Sequence, residues 1–293
     1  MLILLGSLWG AMTALAKVIG LSGVPALGYA FWQTFGAGII LLVICILQGQ
    51  TPPINLSSSR HYITVAVIGS AIPTTNLFYV LTHLPAGIVA IVITTVPIFT
   101  YLISIAAKVE HFDWQRSAGI SFGFAGALLI LLPKESLPDP TLIPIVLLAF
   151  ISPLFYSLNS VYAIKYAPKN ISPMHTATGM MLGSSFILFP ICLAFDSFFP
   201  LWKNIDVTTG LLILHMVLAA STFLMYFVLL KRTGPVYFSQ VAFVVTINAV
   251  VWGIFLFDEQ HSKWIWIALV LIFVGVALVN LRQKQITTSN TEN

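Results

Sequence analysis

Long apolar stretches separated by short polar breaks dominate the chain. Ten of them approach the roughly 20 residues that a helix needs to cross about 30 Å of hydrocarbon. Their apolar residues run continuously and do not alternate, which favours helices over membrane β-strands. Proline, glycine and charged residues collect in the breaks, as expected for connecting loops. The predicted spans cover residues 2–19, 26–48, 62–82, 86–107, 114–132, 141–163, 173–195, 208–230, 235–257 and 264–281. The pattern predicts an all-α membrane protein with ten transmembrane helices.

Composition supports this prediction. Hydrophobic residues make up 58% of the 293 residues and charged residues only 8%, whereas a soluble domain carries roughly a quarter charged residues. Lipid must therefore solvate much of the surface. The net charge of +4 would suggest nucleic acid in a soluble protein, but here it reflects basic loops. The expected partners are the bilayer and a small-molecule substrate, with no nucleic acid, metal or cofactor.

The basic residues are distributed unevenly between the two sets of loops. With a cytoplasmic N-terminus, nine of them fall on the inner side and four on the outer side. Because cytoplasmic loops are enriched in lysine and arginine, both termini are predicted to face the cytoplasm, most simply in a plasma (inner) membrane. The inner set is Arg60, Lys108, Arg116, Lys165, Lys169, Lys231, Arg232, Arg282 and Lys284, and the outer set is Lys17, Lys134, Lys203 and Lys263.

The chain also repeats itself. A shift of about 149 residues aligns Glu110 with Glu259, and a shift of 148 aligns Lys17 with Lys165. Each half holds five spans, and an odd number of crossings inserts the second half upside down. The predicted units are a first repeat at 1–133, a second, inverted repeat at 140–282 and a cytoplasmic tail at 283–293. Inverted repeats are characteristic of secondary transporters, which bind substrate near the bilayer midplane.

Several of these residues follow a known order. The sequence resembles the ten-helix EamA branch of the drug/metabolite transporter superfamily over nearly its whole length. The resemblance rests on Trp9-Gly10, Lys17, Pro97, Glu110, Gly119 and Gly126, with Glu259 and Gly275 in the second half. Departures from the pattern are Thr246 in place of a proline, and Tyr156 with Leu158 in place of Trp9-Gly10. The resemblance implies a central cavity lined by spans 1, 3, 4, 6, 8 and 9, with spans 5 and 10 peripheral.

No acidic residue lies at the centre of a predicted span, where a charge is costly and usually functional. This favours a neutral, zwitterionic or anionic substrate. Glu110 and Glu259 end spans on opposite faces, where they would pair with Lys108 and Lys263, cap the next helix or couple transport to an ion.

Four residues are candidates for gating or coupling: Lys17, Pro97, Lys165 and His215. The lysines would contact substrate or a gate, or extend their stems to the interface. His215 would relay protons or form an interhelical hydrogen bond. Pro97 removes a helical hydrogen bond, as Pro73 and Pro153 do, and could kink a moving or a static helix.

Polar residues on the centrally predicted spans form the candidate substrate site, because amide and phenol groups need partners that lipid cannot supply. The alternative is helix packing through interhelical hydrogen bonds. The candidates are Trp9, Thr13, Asn76, Tyr79, Thr94, Tyr101, Tyr156, Asn159, Thr222, Tyr226, Thr246 and Asn248.

These observations predict a secondary transporter of a small amphipathic metabolite, such as an amino-acid-like or nucleobase-like solute. An intramembrane enzyme and a channel remain as alternatives, although the sequence contains no HExxH or P-loop motif. Gly119-x-x-x-Gly123 would seat one helix on another within the bundle or join a homodimer, so a monomer and a homodimer are both open.

Overall fold

A computed structural model describes residues 1–131, 140–203 and 206–258, together with positions 267, 270, 271, 274, 275 and 278. The regular secondary structure of the described residues is all helical, with turns and loops joining the helices, and seven of the helices are long and apolar enough to cross a membrane. The first nine spans are Leu2–Leu21, Ala26–Leu47, Leu56–Leu81, Ala86–Ile93 continued by Val96–Ala106, Trp114–Leu131, Ile143–Lys165, Pro173–Ala194, Val207–Thr233 and Pro235–Phe257. The positions described in the tenth predicted span are also helical. The protein is thus an all-α membrane protein of ten spans, as predicted. Glu259, the full extent of the tenth span and the tail 283–293 lie outside the described residues.

Local chemistry explains where the third span begins. The helix starts at Leu56, six residues earlier than predicted, because the Asn55 side chain accepts a hydrogen bond of 2.9 Å from the Ser58 backbone N–H. This cap satisfies one of the unpaired N–H groups at the helix start. The polar run Ser57–Arg60 is therefore the first turn of a helix, although its composition resembles a loop.

The mid-span prolines coincide with irregular backbone. A π-helical segment, Val67–Ala71, precedes Pro73, and the fourth span breaks between Ile93 and Val96, just before Pro97. The sixth span is interrupted at Phe150, ahead of Pro153. Each proline lacks the N–H that would continue the helical ladder, so backbone carbonyls near the middle of these spans lose their usual partners.

The helix contacts are the same in both directions between the two halves: each contact of a first-half span with a second-half span has a counterpart between the corresponding spans. The first span packs on the eighth and ninth, and the sixth packs on the third and fourth. The second packs on the eighth and the seventh on the third, while the second and seventh pack on each other. This pattern fits two inverted five-helix repeats that interlock. Neither half forms a separate bundle.

Glycines allow the closest helix contacts. Gly10 of the first span lies against Val245, Asn248 and Ala249 of the ninth, and a Cβ at Gly10 would lie 3.0 Å from the Val245 carbonyl oxygen. Gly119 and Gly123 of the fifth span meet the backbone of Gly275 in the same way. The predicted Gly119-x-x-x-Gly123 contact therefore forms within the bundle, as small-residue motifs in membranes often do.

Candidate functional site

A central cavity lies where the two halves meet. It has an empty volume of about 960 Å³, including the space at its mouth. All six spans implied by the resemblance line it, and so does the second span through Gln33. Its described lining includes no residue of the fifth or tenth span. The cavity is large enough to hold a small organic molecule.

Aromatic rings form one wall of the cavity. The Trp9 ring lies 5.9 Å from that of Tyr226, 6.0 Å from that of Phe223 and 6.2 Å from that of Phe238, measured between centroids. The rings come from the first, eighth and ninth spans, so both halves contribute. Edge-to-face and tilted pairs of this kind stabilise one another, and they give the cavity a wall suited to a flat apolar group.

A polar cluster adjoins this wall. The Asn159 side-chain amide donates a hydrogen bond of 2.8 Å to the Tyr226 hydroxyl, and Ser160 lies 3.4 Å from the same hydroxyl. Asn159 is 2% exposed, yet its Oδ1 has no hydrogen-bond partner among the described residues. Gly69 lies directly behind the amide, where any side chain would collide with it. Leaving a buried amide oxygen unpaired costs about 1–3 kcal/mol, so this oxygen favours binding of a donor.

A second polar group lies nearer the predicted outer face. The Tyr29 hydroxyl and His215 Nδ1 form a hydrogen bond between the second and eighth spans. Phe78 stacks on Tyr29 with a centroid distance of 3.9 Å. Gln33, one helical turn after Tyr29, lines the cavity with its Oε1 buried and unpartnered among the described residues. The sequence offered two roles for His215, a proton relay and an interhelical hydrogen bond, and this contact is an interhelical hydrogen bond.

The described lining of the cavity contains no aspartate, glutamate, lysine or arginine. The described residues also contain no group of three or more histidine, cysteine, aspartate or glutamate side chains arranged to hold a metal ion. The described lining therefore consists of aromatic, aliphatic and uncharged polar side chains together with His215.

The structure brings six of the predicted residues to the cavity and places the other substrate candidates elsewhere. Those lining it are Trp9, Thr13, Tyr156, Asn159, Tyr226 and His215. Gln33, Gly69 and Phe78 line it without having been predicted. Gln33 could have been found, because it is an amide in the middle of an otherwise apolar helix. Gly69 and Phe78 gave no comparable indication, since glycine and phenylalanine are common throughout these helices.

The two other asparagine candidates join helices. Asn76 donates to the Leu148 carbonyl at 3.0 Å and to the Ser152 hydroxyl at 2.8 Å, linking the third and sixth spans. Asn248 donates to the Val244 carbonyl at 2.9 Å and to Ser7 at 3.3 Å, linking the ninth and first spans. Neither residue lines the central cavity. Their geometry fits the packing alternative.

The remaining threonines and tyrosines also lie outside the cavity lining. Thr246 donates to the Ala90 carbonyl at 2.9 Å, and Thr222 donates to the Leu218 carbonyl at 2.8 Å. Thr94 is buried at the break in the fourth span, and Pro97 is buried just after that break. The Tyr101 hydroxyl accepts from the Asp113 N–H at 2.7 Å. Tyr79 is 42% exposed on the third span.

The two candidate lysines occupy matching positions in the two halves. The Lys165 ammonium donates to the Ala107 carbonyl at 2.6 Å, where the fourth span ends. The Lys17 ammonium lies 4.5 Å from the centroid of the Phe257 ring, where the ninth span ends. The fourth and ninth spans correspond to each other in the two repeats. Each lysine therefore contacts the end of a span in the other half, and the two contacts are equivalent. Cations are favourable near helix C-termini.

Glu110 has a different partner from those predicted. Its carboxylate pairs at 2.8 Å with Arg116, which lies in the first turn of the fifth span. Asp113 caps this helix by accepting a hydrogen bond of 2.9 Å from the Arg116 backbone N–H.

Comparison with known proteins agrees with this architecture. The model of the EamA-like transporter family matches the chain twice, at residues 1–132 and 143–281. The inner membrane transporter YedA of Escherichia coli (strain K12) is 27% identical over 280 residues, which is 94% of this chain and 87% of YedA. The transporter YvbV of Bacillus subtilis (strain 168) is 24% identical over 94% of this chain and 89% of its own.

Two further proteins also resemble the chain. The S-adenosylmethionine uptake transporter of Rickettsia prowazekii (strain Madrid E) is 25% identical over 46% of each chain. One solved crystal structure has a TM-score of 0.70 over 97% of this chain and 98% of its own, at 19% identity, so that likeness concerns the fold alone. The family model covers both halves and agrees with the helical architecture. The chain therefore belongs to the EamA-like transporter family, a family of multi-pass membrane transporters.

Proposed function

We propose that the protein is a secondary transporter that carries a small, uncharged or zwitterionic amphipathic solute through the central cavity by alternating access. The observation that carries the proposal is the combination of aromatic walls with uncharged hydrogen-bonding groups at the interface of the two halves. Amino-acid-like and nucleobase-like metabolites have the required size and mixture of surfaces. The side-chain oxygens of Asn159 and Gln33 would accept hydrogen bonds from the solute, and the Trp9 wall would cover its apolar face.

The interlocked packing of the two halves supports alternating access. We propose two repeats, at 1–133 and 140–282, that rock against each other and expose the cavity to one face at a time. Lys17 and Lys165 would close opposite ends, because each contacts the end of a span from the other half. Pro97 and the neighbouring break in the fourth span would absorb part of the motion. The hydrogen bond between His215 and Tyr29 would keep the second and eighth spans together beside the outer part of the cavity.

Flux into proteoliposomes tests this proposal. Uptake from a panel of labelled amino acids, nucleobases and related solutes should saturate with concentration for at least one class, as expected for a carrier. A non-saturating conductance would support a channel instead, and chemical conversion of the solute by the purified protein would support an intramembrane enzyme.

A single hydroxyl group provides the matched mutational test. Tyr226→Phe removes the group that bonds Asn159 and should lower saturable uptake at least about fivefold, from a net hydrogen-bond contribution of roughly 1 kcal/mol. Tyr162→Phe makes the same exchange on the sixth span outside the cavity lining and should preserve uptake. Equal losses in the two variants, after correction for folded protein, would contradict the assignment of the site.

We further propose cytoplasmic termini in a plasma (inner) membrane. A C-terminal reporter that is active only outside the cytoplasm should stay silent. Nine basic residues lie on the side of the termini and four on the other side, and the side with more basic residues is expected to be cytoplasmic. The same reporter fused after Lys203 should be active. Activity of the C-terminal fusion would reverse the orientation and the face of every loop.

A further inference from the structure

A second cavity lies apart from the central one. It is formed by the end of the sixth span, the loop that follows it, the start of the seventh span and the end of the eighth span. Its empty volume is about 620 Å³, including open space, and it shares no lining residue with the central cavity. It lies on the face that the distribution of basic residues predicts to be cytoplasmic.

This cavity, termed the loop groove below, has an apolar wall and a cationic rim. Ile164, Pro168 and Pro173 are partly exposed and supply its accessible apolar surface, the buried Phe227 and Leu230 lie beneath them, and Lys169 and Lys231 lie at the edge. Both lysines are exposed. No acidic residue is among the described lining, and neither lysine pairs with a carboxylate within the part of the chain that the structure describes. The groove therefore presents two positive charges above an apolar surface.

The cationic rim is specific to one half of the protein. The corresponding positions, 148 residues before Lys169 and 149 residues before Lys231, hold Leu21 and Thr82. The inverted fold therefore does not require lysine at these sites, since the equivalent places on the other face lack it. Nearby Arg232 adds a third basic side chain on the same face. Basic pockets between transmembrane helices on a cytoplasmic face suit anionic headgroups.

We propose that the loop groove binds the headgroup of an anionic phospholipid. The phosphate would lie between the ammonium groups of Lys169 and Lys231, and the glycerol and upper acyl segments would pack along Ile164, Pro168 and Pro173. A soluble anion would use the lysines but gain nothing from the apolar wall. The combination of charge and apolar surface at the membrane boundary thus favours a lipid over a free phosphate.

Lipid titration of the purified full-length protein tests the proposal. Thermal unfolding in detergent is followed while phosphatidylglycerol or phosphatidylcholine is added, and bound lipids are counted by native mass spectrometry. Phosphatidylglycerol should bind in preference to phosphatidylcholine. The double variant Lys169→Gln/Lys231→Gln should weaken its binding by about 25-fold, or about fivefold for each lysine, while unfolding in phosphatidylcholine alone stays unchanged.

A charge-matched control separates this site from general attraction. Lys108→Gln/Lys203→Gln also removes two exposed lysines and should leave phosphatidylglycerol binding unchanged. Equal losses in the two double variants, or no loss in either, would overturn the proposal. Inorganic phosphate and glycerol phosphate should not protect at concentrations where the lipid does. Protection by either one would overturn the lipid assignment in favour of a soluble anion. None of these readouts depends on transport, so they remain informative if the proposed transport function fails.

Discussion

Replacement of Asn159 by leucine should reduce saturable uptake roughly tenfold or more while the protein remains folded. The change removes the donor to the Tyr226 hydroxyl and the buried Oδ1, which has no hydrogen-bond partner among the described residues. A lost hydrogen bond to a buried polar group costs about 1–3 kcal/mol, and about 1.4 kcal/mol corresponds to a factor of ten. Leucine has the same branching at Cγ as asparagine but is larger, so flux is compared only after normalisation to folded protein.

The measurement is flux per folded protein at several substrate concentrations. Asn170→Leu makes the same exchange at an exposed loop position and should keep full flux. Phe122→Leu, at a side chain 44% exposed on the fifth span, should also do little. Full flux in the Asn159→Leu variant would contradict the assignment of the polar cluster to the transport site.

Replacement of Gly10 by leucine should prevent normal packing of the first span on the ninth. A Cβ at this position already conflicts with Asn248 and lies 3.0 Å from the Val245 carbonyl oxygen. Overpacking costs about 1–3 kcal/mol when the neighbours can move, and here part of the obstruction is backbone. We expect a lower unfolding temperature and a smaller yield of monodisperse protein.

Gly210 supplies the matched control for this substitution. It lies on the eighth span, and a Cβ added there has no heavy atom within 4 Å. Gly210→Leu should therefore unfold at the temperature of the unsubstituted protein, as measured in the same detergent. A Gly10→Leu variant of unchanged stability would mean that the first and ninth spans can separate without cost.

The sequence predicted the helices better than the cavity. Apolar length identifies a span because lipid requires about 20 apolar residues, and nine spans match the structure within a few residues apart from the start of the third. The predicted start of the third span was wrong because its first turn, which Asn55 caps, is polar and has the composition of a loop. The break at Thr94 and Thr95 could be anticipated only in part, since Pro97 indicates a weakened ladder but not where the helix yields.

The cavity depends on directions that periodicity does not fix. Asn76 and Asn159 are both amides on centrally placed spans, yet Asn76 bonds to Leu148 and Ser152 whereas Asn159 faces the cavity. The difference arises from the helix opposite each one. Ser152 supplies a partner for Asn76, whereas Gly69 gives the Asn159 amide room and offers it no side-chain bond. A pattern along one helix contains no information about its partner, so packing and binding residues could not be separated.

The contact between the first and ninth spans has a consequence for biosynthesis. The first span is made at the start of translation, but Val245, Asn248 and Ala249, which fit against Gly10, are made more than two hundred residues later. Until the ninth span inserts, the glycine face of the first span must lie against lipid or the insertion machinery. The fourth span likewise cannot complete its packing until the sixth span, which it contacts, has been made. The N-terminal half therefore cannot complete its packing as it emerges, and truncation before the ninth span should leave a nascent chain exposed to membrane quality control.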